Sequence, residues 1–327
     1  MIITKTPFRM SFLGGGSDLP EFYRQFPGAT LSATIDKYMY ISSHDFFERD
    51  QFRFKYSKTE TVSTVAEIEH PILRAAVMRL QLEGGLEVSS IADIPSGTGL
   101  GSSSSFTVGV LHNLYTRLGQ FVVKEKLARL ACEIEIGDLG EPIGKQDQYA
   151  AAFGGLNLIS YAADETVKVE PIYLEANVRR DFQNHLMLFY TGKSRSASSV
   201  LAEQKSNMMS REKVSRLQKM VEMVSLGCRL LHEAQFESFG RLMHESWLEK
   251  KEMAEGVSNS KIDELYDLAL AEGAFGGKIL GAGGGGFLLI CCSPEKRLGI
   301  KAALENQGLD LRSFQFEQDG SKVIYAE

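Results

Sequence analysis

"PSGTGLGSSSSF", Pro95–Phe106, is the stretch on which the fold of this chain turns. Its glycines stand at alternate positions, Gly97, Gly99 and Gly101, which lets the backbone take positive φ and come close to a ligand. Ser102, Ser103, Ser104 and Ser105 follow, and behind them Phe106, Val110, Leu111, Leu114 and Leu118 mark a helical stripe. Free N–H groups and the dipole at such a helix start favour an anion. Serine hydroxyls there cap the helix, bond phosphate oxygens or sit on a magnesium ion. The physics points to a phosphate site, with a plain serine-capped turn as the alternative. The segment is not G-x-x-x-x-G-K-[ST]. Gly277-Lys278 comes nearest to that pattern, but Ile279 follows and Glu272 stands where the first glycine belongs. The protein-kinase strings H-R-D and D-F-G are absent.

Two more glycine-rich places flank it at a distance. Gly281–Gly286, "GAGGGG", matches G-x-G-x-x-G through Gly281, Gly283 and Gly286. A dinucleotide fingerprint must open a helix, whereas "FLLICC" follows here as an apolar strand. A hairpin whose backbone approaches something bulky fits better. Gly14–Asp18, "GGGSD", follows a strand at Arg9–Leu13. Asp18 is suited either to accept hydrogen bonds from sugar hydroxyls or to cap the segment beginning at Leu19-Pro20.

Around these places the first third reads as β-rich, with strands at Ile2–Thr4, Arg9–Leu13, Thr30–Thr34, Tyr38–Asp45, Gln51–Tyr56 and Leu86–Ile91. Helices are expected at Ile68–Glu83, Ser102–Leu118, Val123–Ile136 and Ile143–Phe153, then strands at Leu156–Tyr161, Val167–Tyr173 and His185–Tyr190. The second half is mostly helical: Ser196–Asn207, Arg211–Glu233, Phe236–Glu252 and Lys261–Glu272. Strands Gly277–Leu280, Phe287–Cys292 and Ser313–Glu317 close the chain, with a helix from Pro294. The change in helix content suggests domains at 1–165 and 166–327.

Lys and Arg number 36 and Asp and Glu 42 among 327 residues, a formal charge of −6. That balance, with no basic cluster, argues against nucleic acid as a partner. No apolar run reaches the roughly 20 residues of a membrane helix, and the N-terminus does not read as a secretory signal. Cys132, Cys228, Cys291 and Cys292 have no zinc or C-x-x-C spacing and read as buried thiols of a cytoplasmic protein. The adjacent Cys291 and Cys292 should face opposite sides of one strand. The six histidines show no ligand spacing.

Taken in order, the three glycine places resemble the motifs of the GHMP kinase superfamily. "PFRMSFLGGGSD" (Pro7–Asp18) is similar to its first motif. "PSGTGLGSSSSF" is similar to its second, P-x-G-x-G-L-G-S-S-A, with Ser104 where alanine is usual, and "KILGAGGGGF" to its third. "PFRMSFLGGGSDLPEFY", "GKQDQYAAAFGGLN" and "LFYTGKSRSAS" narrow the likeness to the bacterial D-glycero-D-manno-heptose 7-phosphate kinases. The resemblance implies an α+β, two-domain GHMP kinase fold, with an N-terminal domain of the ribosomal-protein type, a ferredoxin-like C-terminal domain and the active site in the cleft between them. It implies ATP and Mg2+ as cofactors, and a small-molecule sugar phosphate phosphorylated on the anomeric hydroxyl to the 1,7-bisphosphate. A monomer or homodimer is expected.

Site roles follow from the same resemblance. Asp147 orients or deprotonates the attacking hydroxyl, Arg9 stabilises the transferring phosphoryl, and Lys145 is a second cation. Pro95, Gly97, Gly99, Leu100, Gly101, Ser102, Ser103 and Ser104 would hold ATP. Ser102 and Ser103 compete for the metal, with Glu135 as its carboxylate and Glu133 as the fallback. Gly15, Gly16, Ser17, Asp18, Gly283 and Gly284 would face the acceptor, and Lys193 and Arg195 its distal phosphate. The segment from Tyr56 to Val65 would wall the adenine. A galactokinase- or fucokinase-like enzyme of a free sugar is the first alternative. A catalytically inactive sugar sensor is the second, and Arg9, Glu135, Asp147 and the serines argue against it.

Overall fold

The computed structural model describes residues 1–192 and 210–327. Two long strands, β1 (Ile2–Leu13) and β2 (Gly28–Asp45), form its spine. The sequence suggested four shorter strands here. Pro7 and Asp36-Lys37 looked like breaks, but the structure absorbs them as an irregularity: Pro7 pairs with Tyr38 and Phe8 already with Ile35. A bulge takes up the extra residues without ending either strand.

Among the described residues the first sheet has eight strands. Its main path runs β12 (Lys322–Ala326), β1, β2, β5 (Leu86–Ala92), β3 (Phe52–Lys55), β4 (Thr59–Val62). The other half of β2 pairs with β6 (Leu156–Tyr161), which carries β7 (Val167–Pro171). The β6–β7 hairpin straddles residue 165 and β12 returns beside β1, so no single cut there separates the sheets. β12 was missed by the sequence reading. The strand expected at Ser313–Glu317 is a lone bridge between Phe316 and Ile35. The helices α1 (Pro20–Tyr23) and α2 (Pro71–Arg79) are short. α3 (Ser102–Arg117) packs on β1 and β2, and α4 (Lys124–Cys132) and α5 (Gln146–Phe153) pack beside it.

The second sheet, β11 (Asp310–Arg312), β8 (Leu186–Tyr190), β10 (Phe287–Cys292) and β9 (Ala274–Ile279), is antiparallel. α6 (Ala176–Asn184) precedes it and was not foreseen. α7 (Arg211–His232) lies on β1 and β2, while α8 (Phe236–Lys251) lies on β9, β10 and α7 and so couples the sheets. α9 (Ser260–Ala271) and α10 (Arg297–Glu305) cover the outer face. β10 is buried on both sides: Cys291 belongs to the large core under α8 and Cys292 to the core under α9 and α10. All four cysteines are free thiols.

The β9–β10 hairpin explains the third glycine place. A Cβ on Gly281 (φ +75°) would stand 2.6 Å from the Cα of Gly99, and one on Gly286 would stand 2.3 Å from the Thr98 carbonyl oxygen. What the hairpin approaches is the Pro95–Gly101 loop itself. Gly281→Ala is expected to cost about 1–3 kcal/mol in stability and to raise KM for ATP about tenfold or more, because neither backbone can retreat. Urea unfolding and ATP saturation curves measure both.

Candidate active site

The site is assembled at the first turn of α3. Gly97, Gly99 and Gly101 all take positive φ, between +75° and +86°. Gly101 sits at the N-cap in the left-handed region, and no side chain caps the helix. The first-turn amides are therefore open to an anion, as expected. Leu100 is buried, and its carbonyl accepts the Arg9 backbone amide at 3.1 Å, which fastens the loop to β1.

Beneath the loop lies the Arg9–Asp147 pair. Arg9 Nε donates to Asp147 Oδ1 at 2.7 Å and Nη2 to Oδ2 at 2.6 Å. Nη1 donates to the Gly99 carbonyl at 2.6 Å. Arg9 is buried on β1, while the Asp147 side chain, at the start of α5, keeps 25% of its surface exposed. A Cβ on Gly101 would stand 3.2 Å from Asp147 Oδ2, a tight contact that, with the positive φ, favours glycine where the loop lies on the carboxylate. Two parallel bonds fix the plane of a carboxylate in a way a lysine cannot.

Glu135 stands on the other side of the serines. It lies in a π-helical turn, Glu133–Asp138, that continues α4. Such turns frequently occur at functional sites. Glu135 is fully buried; Ser103 donates to its Oε1 at 2.7 Å and Gln148 to its Oε2 at 2.7 Å. Burial pushes its pKa up to about 7, against the opposing pull of Ser103, Gln148 and Ser104. Glu133, the fallback, is tied to Arg79 and Arg129. Of the two serines, Ser103 makes the bond to the carboxylate, while Ser102 stays half-buried beside it.

The oxygen-only pair of Ser103 and Glu135 fits magnesium, which takes few protein ligands and leaves the rest to water and phosphate. The buried Gln148 Oε1, without a partner among the described residues and next to Glu135, adds one more hard acceptor. Among the described residues no group of three or more His, Cys, Asp or Glu could hold a metal alone.

The Gly14–Asp18 loop is different in detail from what the sequence suggested. Ser17 Oγ bonds the carbonyls of Gly14 and Ala29, and so closes the loop. The Asp18 carboxylate accepts the Gly16 amide at 3.0 Å and the Gln146 amide at 3.2 Å. It is a buried brace that caps α5 rather than Leu19-Pro20. Burial and the nearby Asp147 raise its pKa. Gly15 is the half-exposed position of the loop.

Lys145 is corrected. Its ammonium is bound to Glu165 and lies over the Tyr23 ring, and not against Asp147. Glu165 also accepts from Tyr23 and Arg24 and is held down at about 2. Lys145→Ala is expected to keep kcat within about threefold of wild type, since it removes a partly exposed pair. Gly283 and Gly284 rest on Val257, with the Gly284 amide donating to its carbonyl at 2.9 Å. Lys193 and Arg195 lie outside the described residues. Tyr56–Val65 forms most of the β3–β4 hairpin, and Tyr56 meets His70, which lies against Phe106 of α3.

Two buried lysines escaped the sequence reading. Lys250 of α8 donates to the Gly15 carbonyl at 3.2 Å, and Lys278 of β9 to the Phe12 carbonyl at 3.4 Å. Both had a signal. Lys250 continues the buried stripe Phe239, Met243, Ser246 and Trp247, and Lys278 interrupts an otherwise uncharged strand.

The sequence matches the pattern of the GHMP kinases N terminal domain over residues 55–155 and that of the GHMP kinases C terminal over residues 229–310. This chain belongs to the GHMP kinases. It is an ATP-dependent phosphotransferase with the α+β fold of that family, as the glycine motifs implied. It is 28% identical to D-glycero-alpha-D-manno-heptose 7-phosphate kinase of Campylobacter jejuni, over 98% of each chain. It is 25% identical to the bifunctional fucokinase/GDP-fucose pyrophosphorylase of Arabidopsis thaliana, over 91% of this chain and 30% of that one. A crystal structure of a D-glycero-D-manno-heptose 1-phosphate kinase from Bacteroides thetaiotaomicron superposes with a TM-score of 0.82 over the whole of both chains, at 24% identity. No helix among the described residues is long and apolar enough to cross a membrane.

Proposed function

We propose that this GHMP kinase phosphorylates the anomeric hydroxyl of D-glycero-D-manno-heptose 7-phosphate, giving the 1,7-bisphosphate. The observation that carries the transfer chemistry is the bidentate Arg9–Asp147 pair directly under the Gly99–Gly101 loop. The sugar-phosphate acceptor is supported by the likeness to the heptose 7-phosphate kinase over nearly the full length of both chains.

In the transfer, the acceptor hydroxyl oxygen forms a bond to the γ-phosphorus and the bond from that phosphorus to the β–γ bridging oxygen breaks. ADP leaves with the bond's electrons, and the hydroxyl proton goes to Asp147. Little covalent help is needed, so positioning and charge dominate. Asp147, its plane fixed by Arg9, aims a lone pair at the hydroxyl. Arg9 brings positive charge to the same point from a buried position, where charge acts strongly. The amides at the head of α3 receive the phosphates. Ser103 and Glu135 would hold magnesium, which would supply neutralisation of the phosphate charge. Gly15, Gly16 and the brace Asp18 shape the acceptor side. The lobe of the first sheet, which includes β7 and β12, would carry ATP, and the second sheet with its helices would form the other lobe.

A kinase of free sugar is favoured by the fucokinase likeness. A substrate panel decides, with the product phosphate located by phosphorus NMR. Heptose 7-phosphate should give an anomeric phosphate signal at kcat/KM at least about 100-fold above that for free fucose, galactose or heptose. Equal use of a free hexose would overturn the heptose phosphate reading. Transfer to no panel member, with ATP still bound, would make the chain a sensor.

A further inference from the structure

Asp147 is not the only side chain that the start of α5 presents to β1. Gln146, beside it in the chain, is buried at 6% exposure, and its Oε1 accepts from Ser11 Oγ at 2.6 Å. Arg9 and Ser11 stand two apart on β1 and so share a face. Arg9 binds Asp147 and Ser11 binds Gln146, which makes two rungs side by side. The transfer just described uses the first rung only.

The second rung is fixed at both ends. The Asp18 carboxylate takes the Gln146 amide at 3.2 Å, and the Asp18 carbonyl takes the Lys145 amide at 3.2 Å. Gly144 lies so close that a Cβ on it would stand 2.0 Å from Asp18 Oδ2. The Gly14–Asp18 loop thus holds the backbone of Gln146, and Ser11 holds its side chain. With Oε1 on Ser11, the amide nitrogen points the other way, and Nε2 reaches Asp147 Oδ1 at 3.5 Å. The opposite orientation would set an amide oxygen against a carboxylate oxygen. Nε2 has two hydrogens, and among the described residues this long bond is its one partner. A methionine would fill the same space without a polar group to satisfy. Gly15 closes the other side, since a Cβ on it would stand 3.7 Å from Ser11 Oγ. Ser11 and Gln146 therefore span the distance from the half-exposed Gly15 to the Asp147 carboxylate.

We propose that Gln146 is a specificity-determining contact to the acceptor: its Nε2 donates a hydrogen bond to the sugar oxygen that adjoins the attacked hydroxyl, either the ring oxygen or the hydroxyl on the next carbon. This rests on Asp147 as the group that receives the hydroxyl proton. An anomeric hydroxyl has an oxygen able to accept a hydrogen bond on either side of it, and a simple alcohol has none, so a fixed donor beside the base recognises a sugar. Two contacts, to Asp147 and to Gln146, set the direction of the hydroxyl as well as its position. Ser11 is the positioning residue, acting through the amide that it orients.

Gln146→Met keeps length and removes the donor, while Gln146→Glu keeps the shape and the Ser11 bond. Steady-state kinetics are run with heptose 7-phosphate, with its 2-deoxy analogue and with varied ATP. Gln146→Met should lower kcat/KM for the sugar phosphate about 5–20-fold, the effect of one lost hydrogen bond, with KM for ATP within about twofold. Ser11→Ala should lower the same parameter about 2–5-fold and add nothing further in the Gln146→Met background. Gln146→Glu sets a second carboxylate beside Asp147, so the acid limb of kcat/KM should move up by about one pH unit relative to wild type. On the 2-deoxy analogue the penalty of Gln146→Met should vanish if the partner is the neighbouring hydroxyl and persist if it is the ring oxygen. An unchanged kcat/KM in Gln146→Met would overturn the contact, as would an equal loss toward ATP and acceptor. Should that variant not fold, Gln146→Glu decides, and an acid limb and kcat/KM both at wild-type values would overturn it. If Asp147→Asn keeps its kcat, the reading of Asp147 fails. If Asp147→Asn loses its kcat and both Gln146 variants keep kcat/KM, only the contact fails.

Discussion

Asp147→Asn is expected to lower kcat about 10²–10⁴-fold while KM for ATP moves less than about threefold. The amide keeps the shape of the carboxylate but cannot take the hydroxyl proton, and it offers Arg9 one oxygen in place of two. The Pro95–Gly101 loop should be unaffected, because Leu100 holds on to the Arg9 backbone and the α3 amides remain open. Arg9→Met should lose a comparable factor, and the double variant little more than either alone, since the pair works as one unit. In Asp147→Asn the buried Arg9 loses its charged partner and keeps, among the described residues, the Gly99 carbonyl and one amide oxygen, so the thermal midpoint should also fall. A fall in kcat of less than about tenfold, with Arg9→Met equally mild, would remove this pair from the chemistry.

How far this pair was legible in the sequence depends on the kind of signal. Neither residue stands out by itself: Arg9 is one cation in a β-strand and Asp147 one acid on a helix. The glycines identified the loop, since positive φ and close backbone approach leave few other residue types possible. The motif order then supplied Arg9 and Asp147, and the structure brought them within bonding distance across 138 positions. Local pattern was enough for Leu156–Tyr161 and Phe287–Cys292, which came out with the expected bounds. It failed where long-range pairing decides. β12 is a strand because β1 offers it an edge, whereas Ser313–Glu317 runs beside β2 and makes there only the bridge from Phe316 to Ile35. Lys145 was misplaced because sequence proximity to Asp147 says nothing about where a long side chain points. Turning away from the site, it found Glu165, a residue with positive φ that no local pattern draws attention to. Lys250 and Lys278 were passed over for the opposite reason. Each lay in an apolar pattern, and only burial reveals a charge placed there at a cost.

Glu135 provides the second large effect, through pH. Its folded-state pKa is raised to about 7 by burial, well above its ordinary value. In the window between about 4.5 and 7 the folded protein therefore binds more protons than the unfolded chain, and its stability falls as pH rises through that range. If the full shift is realised, the loss is about 3 kcal/mol. Lys278, lowered to about 7, and Lys250, lowered to about 8, act in the other direction above neutrality. There the unfolded chain holds the extra protons, so stability rises from pH 7 toward 9. The free protein should accordingly be least stable near pH 7, as read by urea midpoints from pH 5 to 9. Glu135→Gln should flatten the acid limb and leave the alkaline limb intact. With Glu135 as the proposed magnesium ligand, protons would compete for the same oxygens. The apparent magnesium requirement at pH 6 should be about tenfold that at pH 8. The terminal phosphate of ATP titrates nearby, so the contribution of Glu135 is the difference between wild type and Glu135→Gln at each pH. That variant should need far more magnesium at pH 8 and lose most of its kcat there, about 10²-fold or more, because a neutral amide replaces the charged ligand. An acid limb unchanged in Glu135→Gln would show that the ionisation of Glu135 is not what the lowered stability measures, and an unchanged magnesium requirement would take Glu135 out of the metal site.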